Sequence, residues 1–179
     1  LAFEKICEEV ASCYGFQRVA TPTFERLELF TAKSGDGIIE QLYAFKDRSD
    51  RDLTLRPELT APVMRMIAEK RGQIPKPARY SYFGSCFRYE ESKRGRYREF
   101  WQYGCEVIGA PGPLTEAEVV AFACAILTAS GLKDWQLKIG HVGILNDILN
   151  NLGLSGDAKS AAMRLLDKGD FEGLEASGI

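Results

Sequence analysis

The chain has 179 residues, of which 45% are hydrophobic and 27% are charged, and its formal net charge at pH 7 is −2. This length and composition suit a soluble protein with one substantial core or slightly more than one domain. The near-neutral charge argues against a protein that is basic overall for nucleic-acid binding, although it leaves room for a local basic loop.

Neither a membrane protein nor a disulfide-rich secreted protein fits the sequence. No apolar run reaches the roughly 20 residues that cross a bilayer, and the acidic start LAFEKICEEV is unlike a secretion signal. We therefore predict a cytoplasmic protein without a resident metal site, in which reduced and mostly buried thiols are scattered along the chain without a CxxC pair: Cys7, Cys13, Cys86, Cys105 and Cys124. The single histidine, His141, is assigned no catalytic role.

The N-terminal segment predicts a helix followed by a short strand. Apolar residues at helical spacing indicate an amphipathic helix over Leu1–Tyr14, with Gly15 as its C-terminal stop. Phe16–Val19 is expected to be a short strand. Pro22 in the following TPTFE stretch suits a sheet edge or an interface, because proline cannot donate to a ladder.

A short helix, a loop and a hairpin are predicted next. We expect the helix over Glu25–Phe30 and a flexible surface loop at KSGDG, residues 33–37, which lacks the glycine spacing of a phosphate-binding loop. Gln41–Leu55 predicts a hairpin, since the strand-like runs LYAF and DLTL flank the turn residues DRSDR.

The hairpin leads into RPELT, residues 56–60, at the start of a helix. Thr60 is the expected N-cap, and the buried stripe is expected at Val63, Met66 and Ile67. Glu58 is then held at a strand-to-helix corner. It either binds a ligand there or only satisfies the helix dipole, and the sequence leaves both interpretations open.

Tyr80–Gly109 is the most informative segment. Alternating residues on both sides of a turn-rich tip, Glu91–Tyr97, predict an antiparallel hairpin. Side chains two apart share a strand face, so Arg88 and Glu90 lie together, and the return strand aligns Phe100, Gln102 and Glu106. If the two faces coincide, one sheet surface carries a cation, two acids, an amide and an aromatic ring.

Those side chains suit ATP bound beside a small amino compound. Arginine forms bidentate contacts with phosphate and carboxylate, and Phe100 offers a stacking surface for a base. Glu90 can accept from an exocyclic amine, and Glu106 can accept from a cationic or imidazole group. The tip adds cations that would neutralise a polyphosphate: Lys93, Arg94, Arg96 and Arg98. The alternative is a surface hairpin whose charges are solvated and contribute little.

The C-terminal part predicts two helices and a strand. A helix over Thr115–Ser130 has a capping box of Thr115 and Glu118, a staple from Leu114 to Val119, and an apolar centre that predicts burial against a sheet. A strand over Trp135–Ile139 and a helix over Val142–Leu152 follow, the helix with inward residues Ile144, Leu145, Ile148 and Leu149.

The tail from Gly153 is expected to be weakly helical, with SAAMRLLDK as its best helical piece. Its composition shifts towards small and charged residues. We therefore predict two regions: residues 1–140 as the main domain, and residues 141–179 as the start of a smaller helical insertion unit.

TPTFE, LYAFKDR, LRPELT and above all FRYEESKRGRYREFWQYGCEVIG resemble the class II aminoacyl-tRNA synthetases, and within them the archaeal-type histidine–tRNA ligases. The resemblance covers roughly Tyr14–Ser130 in consistent order. It implies the N-terminal part of an α+β fold built on a mixed, mostly antiparallel sheet flanked by helices. It also implies a homodimer formed through the first motif, whose proline matches Pro22.

The resemblance also assigns ATP-binding roles. Arg88 is similar to the catalytic arginine that holds the α-phosphate and the substrate carboxylate. Glu90 matches the acid that receives the adenine amine, and Phe100 matches the ring that stacks on adenine. Arg96 resembles a residue that contacts the outer phosphates or the tRNA acceptor end.

The histidine-binding residues follow in the same way. Glu58 and Thr60, with Leu59 between them, match the element that binds the α-amino group of histidine. Gln102 and Glu106 match residues that line the amino-acid pocket, with Glu106 facing the imidazole, and Arg88 serves both substrates.

The implied reaction is attack of the carboxylate of L-histidine on the α-phosphorus of ATP, with Mg²⁺ on the phosphates, followed by transfer to tRNA(His). The chain stops before the family's RGLDYY-like element, its third motif and its anticodon-binding domain. We therefore expect these 179 residues alone not to charge tRNA. The alternatives are the synthetase-like regulatory subunit of ATP phosphoribosyltransferase and a nucleotide-binding domain that does not aminoacylate.

Overall fold

The structure is a computed structural model that describes residues 2–34, 36–70, 72–90 and 95–177. Its contacts divide the chain into two compact units, Leu1–Trp135 and Gln136–Ile179. In the part of the chain that the structure describes, no helix has the length and apolar character needed to cross a membrane. The interpretation of the second unit as an insertion stays a prediction.

The first unit contains these elements in chain order: α1 (Ala2–Cys13), β1 (Gln17–Arg18), β2 (Phe24–Arg26), α2 (Glu28–Ser34), a 3₁₀ helix (Asp36–Gln41), β3 (Ala44–Lys46), β4 (Asp52–Leu55), α3 (Thr60–Glu69), β5 (Ala78–Phe87), β6 (Glu99–Ile108) and α4 (Pro113–Ala129). The second unit contains α5 (Val142–Asn151), α6 (Gly156–Lys168) and α7 (Phe171–Ala176). The predicted helix at the N-terminus, the strand after it and both hairpins are confirmed.

Two three-stranded sheets form the β structure of the described residues. In the first sheet, β1 runs parallel to β5, and β5 pairs antiparallel with β6 from Ala78 opposite Ile108 to Phe87 opposite Glu99. In the second sheet, β4 lies between β2 and β3 and is antiparallel to both. The predicted α+β fold with a mixed, mostly antiparallel sheet is confirmed.

The β5–β6 ribbon separates two apolar clusters. The first cluster joins α1 and α4 to one side of the ribbon through Cys7, Ala11, Phe16, Phe122 and Ile126, with Tyr103, Cys105 and Val107 packed against it. The second joins the start of α3 to the other side through Leu59, Val63, Tyr82 and Cys86, with Phe100 against it. One face of the ribbon is therefore covered by two helices, and the other meets the RPELT corner.

The predicted helix over Glu25–Phe30 is wrong at its start. Phe24–Arg26 is a strand paired with β4, and Glu25, which is 6% exposed, accepts two hydrogen bonds from the Arg65 guanidinium at 2.8 and 2.7 Å. The predicted KSGDG loop is also wrong where it is described. Lys33 and Ser34 belong to α2 and residues 36–37 to the 3₁₀ helix, while residue 35 lies outside the described residues.

Thr60 is not the N-cap of α3, as the sequence had indicated. Leu59 occupies the cap position without a side-chain bond, and Thr60 is the first helical residue. The cap is supplied by Glu58, whose carboxylate accepts from the backbone N–H groups of Thr60 and Ala61. Glu58 precedes the cap position by one residue, and its side chain is long enough to reach the free N–H groups of the first helical turn.

The predicted capping box of α4 is wrong as well. The helix begins at Pro113 after Gly112, and no side-chain bond caps it. Glu118 instead accepts from both terminal nitrogens of Arg79 at 2.9 and 2.8 Å. A bidentate bond with a guanidinium is stronger than one with a neutral backbone N–H, so the acid turns towards the sheet.

The predicted burial of α4 holds for only one stripe. Among its residues, Phe122 and Ile126 are buried, although the helix is apolar on most sides. Leu114 is 86% exposed, so the predicted staple to Val119 is not formed. Composition shows that a helix is apolar, but how many of its sides are covered depends on which elements pack there.

The predicted strand over Trp135–Ile139 is wrong, because these residues form no regular secondary structure. An apolar run becomes a strand only when a ladder partner pairs with it. In α5, Leu149 is buried and Leu145 partly buried, as expected, but Ile144 and Ile148 are more than half exposed. The tail is more helical than expected, since α6 contains the predicted SAAMRLLDK segment and α7 follows it.

Candidate functional site

The predicted site residues of the two strands share one face of the β5–β6 ribbon. Gly84 pairs with Gln102 and Cys86 pairs with Phe100, and residues directly opposite each other in a ladder point to the same side. The backbone N–H of Arg88 donates to the carbonyl of Arg98 at 2.9 Å, so the pairing continues just past β5. The polar face expected from alternation is therefore present.

The RPELT corner lies against this face and contacts both of its strands. Arg88 Nε donates to the carbonyl of Pro57 at 3.0 Å. The backbone N–H of Leu59 donates to Gln102 Oε1 at 2.9 Å. The structure thus brings the corner beside Arg88 and Gln102, which are distant from it in sequence.

Glu106 reaches the same corner through a tyrosine that the sequence analysis did not single out. The Tyr82 hydroxyl donates to Glu106 Oε1 at 2.9 Å and lies 3.0 Å from Thr60 Oγ1. Tyr82 is 4% exposed, and this burial raises the pKa of its phenol above the usual range, which keeps the phenol protonated. Alternation was the available signal, because Tyr82 lies six residues before Arg88 on the same face.

The ring of Tyr82 packs closely against β6 at Gly104. A Cβ atom built on Gly104 would lie 2.5 Å from ring carbons of Tyr82, far inside van der Waals contact. Only glycine leaves space for the ring there, so Gly104 holds the hydroxyl of Tyr82 between Thr60 and Glu106.

Gly104→Ala is therefore expected to displace the Tyr82 ring and to destabilise the protein by about 1–3 kcal/mol, as other overpacked core substitutions do. Urea unfolding measures the loss. Gly140→Ala is the matched control, since nothing lies within 4 Å of a Cβ at Gly140, and its effect should stay within about 0.5 kcal/mol. Equal losses in the two variants would contradict the close approach.

Glu58 performs the capping role that the sequence left open. Its two oxygens accept from the backbone of Thr60 and Ala61, the latter at 2.9 Å, at the positive end of the α3 dipole. A carboxylate offers about four acceptor directions. The cap therefore orients Glu58 and leaves lone pairs for a donor from a ligand.

Cations surround the predicted adenine-binding residues. The Arg88 guanidinium carbon lies 5.0 Å from the centre of the Phe100 ring. Glu90 lies 4.0 Å from an Arg88 nitrogen and 3.4 Å from an exposed nitrogen of Arg96. Arg98 stacks on Tyr89 at 4.2 Å. The predicted tip cations Lys93 and Arg94 lie outside the described residues.

Cys86 is a second residue that the sequence analysis missed. Its thiol lies 3.4 Å from Gln102 Oε1, and burial raises the pKa of Cys86 to about 11. The group therefore remains a thiol at neutral pH and donates to the amide oxygen. That oxygen also accepts from Leu59, so both of these bonds use the amide oxygen of Gln102. The amide nitrogen of Gln102 can therefore donate to a ligand.

Arg56 is the third residue that was missed. It is 7% exposed, burial lowers the pKa of its guanidinium, and it donates to the carbonyls of Ser85, Thr21 and Pro22 at 2.8, 2.7 and 3.2 Å. A Cβ on Gly84 would lie 2.5 Å from one of its nitrogens. Arg56 therefore ties the TPTFE stretch and the RPELT corner to β5.

Within the described ranges, no group of three histidine, cysteine or acidic side chains is placed to hold a metal ion. The acids of the site are used in other ways. Glu58 caps α3, Glu90 pairs with arginines and Glu106 accepts from Tyr82.

The chain is similar to known proteins over nearly its whole length. A family model described as Histidyl-tRNA synthetase matches residues 3–178. The histidine–tRNA ligases of Archaeoglobus fulgidus and Methanosarcina acetivorans are 56% and 46% identical over 97% of the chain, which covers 42% and 41% of their lengths. A Bacillus halodurans structure titled as an ATP phosphoribosyltransferase regulatory subunit/histidyl-tRNA synthetase superposes with a TM-score of 0.85 at 28% identity, over 96% of this chain and 44% of that one. The chain thus spans about two fifths of the curated relatives it matches.

Proposed function

The chain belongs to the histidyl-tRNA synthetase family, and we propose on that premise that the protein activates histidine with ATP and transfers it to tRNA(His). The observation that carries the proposal is the contact of the RPELT corner with the ribbon face, through Arg88 to Pro57 and Gln102 to Leu59. These contacts support the proposal because they join the residues proposed to bind histidine to a residue proposed to bind ATP, and a reaction between the two substrates requires that they lie side by side.

Histidine is proposed to lie between the corner and β6. Its α-ammonium group has three protons to donate and needs acceptors, which Glu58 and Thr60 supply at the start of α3. Leu59 between them and Gln102 opposite them form the wall of the site. Glu106 is proposed to bind the imidazole, because it lies four residues after Gln102 on β6 and therefore on the same face of the strand.

ATP is proposed to lie along the distal end of the ribbon. Arg88 is placed to hold the α-phosphate and the carboxylate of histidine together, since a guanidinium presents a planar fork of donors. Phe100 stacks on the adenine and Glu90 accepts from its amine. Arg96 is exposed and is proposed to meet the outer phosphates or the tRNA acceptor end, and Mg²⁺ enters with the phosphates as part of the substrate.

The reaction proposed is an in-line displacement. A carboxylate oxygen of histidine forms a bond to the α-phosphorus, the bond to the bridging oxygen breaks, and pyrophosphate leaves with that electron pair. The terminal ribose hydroxyl of the tRNA then displaces AMP from the adenylate. The protein contributes position and fixed positive charge, and no covalent intermediate with a side chain is needed.

We further propose that the protein is a cytoplasmic homodimer. Support comes from the TPTFE stretch, whose Pro22 matches the proline of the family's dimer motif. In this chain the carbonyls of Thr21 and Pro22 are held by Arg56, the residue that also binds β5. Arg56 thus connects the stretch where the second subunit is proposed to bind with β5, the strand that precedes Arg88.

The test is ATP–pyrophosphate exchange by the full-length protein with each amino acid in turn. We expect exchange with histidine alone. The regulatory-subunit alternative predicts that histidine protects the protein from thermal unfolding without any exchange. A nucleotide-binding domain without aminoacylation predicts protection by ATP and none by histidine, and either result would overturn the proposed function.

A further inference from the structure

Three side chains form a continuous line of hydrogen bonds across the site. The Tyr82 hydroxyl is 2.9 Å from Glu106 Oε1 and 3.0 Å from Thr60 Oγ1. Glu106 and Thr60 come from different elements, β6 and α3, and Tyr82 on β5 joins them. The line runs from the proposed imidazole end of the amino-acid site to its amino end.

The chemistry of the three groups sets the direction of the protons. A carboxylate only accepts, so the single proton of Tyr82 is donated to Glu106. The phenol oxygen can then only accept from Thr60, which uses the single hydroxyl proton of Thr60. With its proton committed, Thr60 Oγ1 presents only lone pairs to a ligand.

We propose that Tyr82 is a positioning residue that makes Thr60 an obligate acceptor for the amino acid's α-ammonium group and thereby couples amino-group recognition to Glu106. The inference rests on the proposed function and adds a reason for its specificity. A ligand with an ammonium at this corner meets acceptors on both Glu58 and Thr60. A ligand without an ammonium offers no donor to these two acceptors, so it loses the hydrogen bonds to a charged group that histidine gains.

The surroundings of Tyr82 hold the line in place. The ring is 4% exposed and fits against Gly104, where a Cβ would collide with it. Thr60 is the first residue of α3, and its backbone N–H is already bound by Glu58. These bonds hold the backbone of Thr60, and the Thr60 hydroxyl lies 3.0 Å from the Tyr82 oxygen.

The test compares two ligands that differ in the amino group, L-histidine and 3-(imidazol-4-yl)propionate, by calorimetric titration of the full-length protein. Tyr82→Phe removes only the hydroxyl. We expect its affinity for histidine to fall by about tenfold, the effect of a hydrogen bond to a charged group, while its affinity for the deaminated acid changes by less than about twofold.

The matched control is Tyr103→Phe. Tyr103 is on β6 of the same ribbon but faces the other way, and its hydroxyl donates to the carbonyl of Cys7 at 3.2 Å. This variant also loses a partly buried phenol hydrogen bond, so its stability should fall. The ratio of the two ligand affinities should nevertheless stay as in the unmodified protein.

A double-mutant cycle separates positioning from a general structural effect. The quantity compared is the affinity for histidine divided by the affinity for the deaminated acid. Because Tyr82 acts through Thr60, adding Tyr82→Phe to Thr60→Val should not lower this affinity ratio further. The inference would be overturned if Tyr82→Phe lowered the affinities for histidine and for the deaminated acid equally. It would also be overturned if the double variant lowered the ratio of the two affinities by the sum of the effects of the single variants.

Glu106→Gln supplies an independent arm in case Tyr82→Phe does not fold. An amide can offer either its oxygen or an N–H to Tyr82, so Tyr82 need no longer donate to residue 106 and accept from Thr60. The ratio of the affinity for histidine to that for the deaminated acid should then fall. An unchanged ratio would refute the coupling. If the unmodified protein does not bind histidine in preference to other amino acids, the proposed function itself fails, which is a separate outcome.

Discussion

Arg88→Lys is expected to lower histidine-dependent ATP–pyrophosphate exchange by about 2–4 kcal/mol of transition-state stabilisation, roughly 30- to 1000-fold. Lysine keeps the charge but has no planar fork, so it cannot hold the α-phosphate and the carboxylate together. It also lacks the Nε that donates to Pro57 at 3.0 Å and the flat group that stacks on Phe100 at 5.0 Å.

Arg79→Lys is the matched control for this change. Arg79 also forms a bidentate contact, with Glu118 at 2.9 and 2.8 Å, and also lies near an aromatic ring, that of Phe16. Its contacts are with α4 and the first apolar cluster, outside the proposed site. Exchange should stay within about twofold of the unmodified protein, and unchanged exchange in Arg88→Lys would show that the site has been misassigned.

Arg56→Met is expected to lower the free energy of unfolding by about 3 kcal/mol, measured by urea denaturation. Methionine fills much of the same volume but donates nothing, so the carbonyls of Ser85, Thr21 and Pro22 lose their donors. Hydrogen bonds to a charged group contribute about 1.5–3 kcal/mol each. The sum is reduced because the desolvation cost of burying the guanidinium is also removed.

The control for Arg56 is Arg51→Met. Arg51 donates to the Asp47 carboxylate at 2.6 Å, but the side chain of Arg51 is 56% exposed. An exposed pair gains little over its solvated state, so the loss should be about 0.5 kcal/mol. Equal losses in the two variants would show that the buried network around Arg56 does not stabilise the fold.

The features of the ribbon that could be predicted depend on residues close together in the chain. Alternation along the chain predicted the β5–β6 hairpin and the shared face of Phe100, Gln102 and Glu106, because strand period is a property of neighbouring residues. It did not single out Tyr82 and Cys86, although they lie on that face, since an aromatic ring and a thiol are typical of a core. The roles proposed for Arg88 and Glu58 came from family resemblance.

Errors arose where a residue had a choice of partner. Glu118 was expected to cap α4 but binds Arg79, and Thr60 was expected to cap α3 but bonds Tyr82. In each case the sequence contained a suitable local partner, and a residue distant along the chain offered a stronger or better placed one. The prediction of a strand over residues 135–139 was wrong for a related reason, since a strand forms only when another strand pairs with it.

The sequence by itself thus determined the helices α1, α3, α4 and α5, the two hairpins and the polar character of one ribbon face, because all of these depend on spacing over a few residues. The tertiary structure decided which groups meet. The bonds from Leu59 to Gln102 and from Thr60 to Tyr82 span 43 and 22 residues, and they form only because apolar side chains at the start of α3 pack against the same face. The burial of Leu59 and Tyr82 then reduces the competition of water for these bonds.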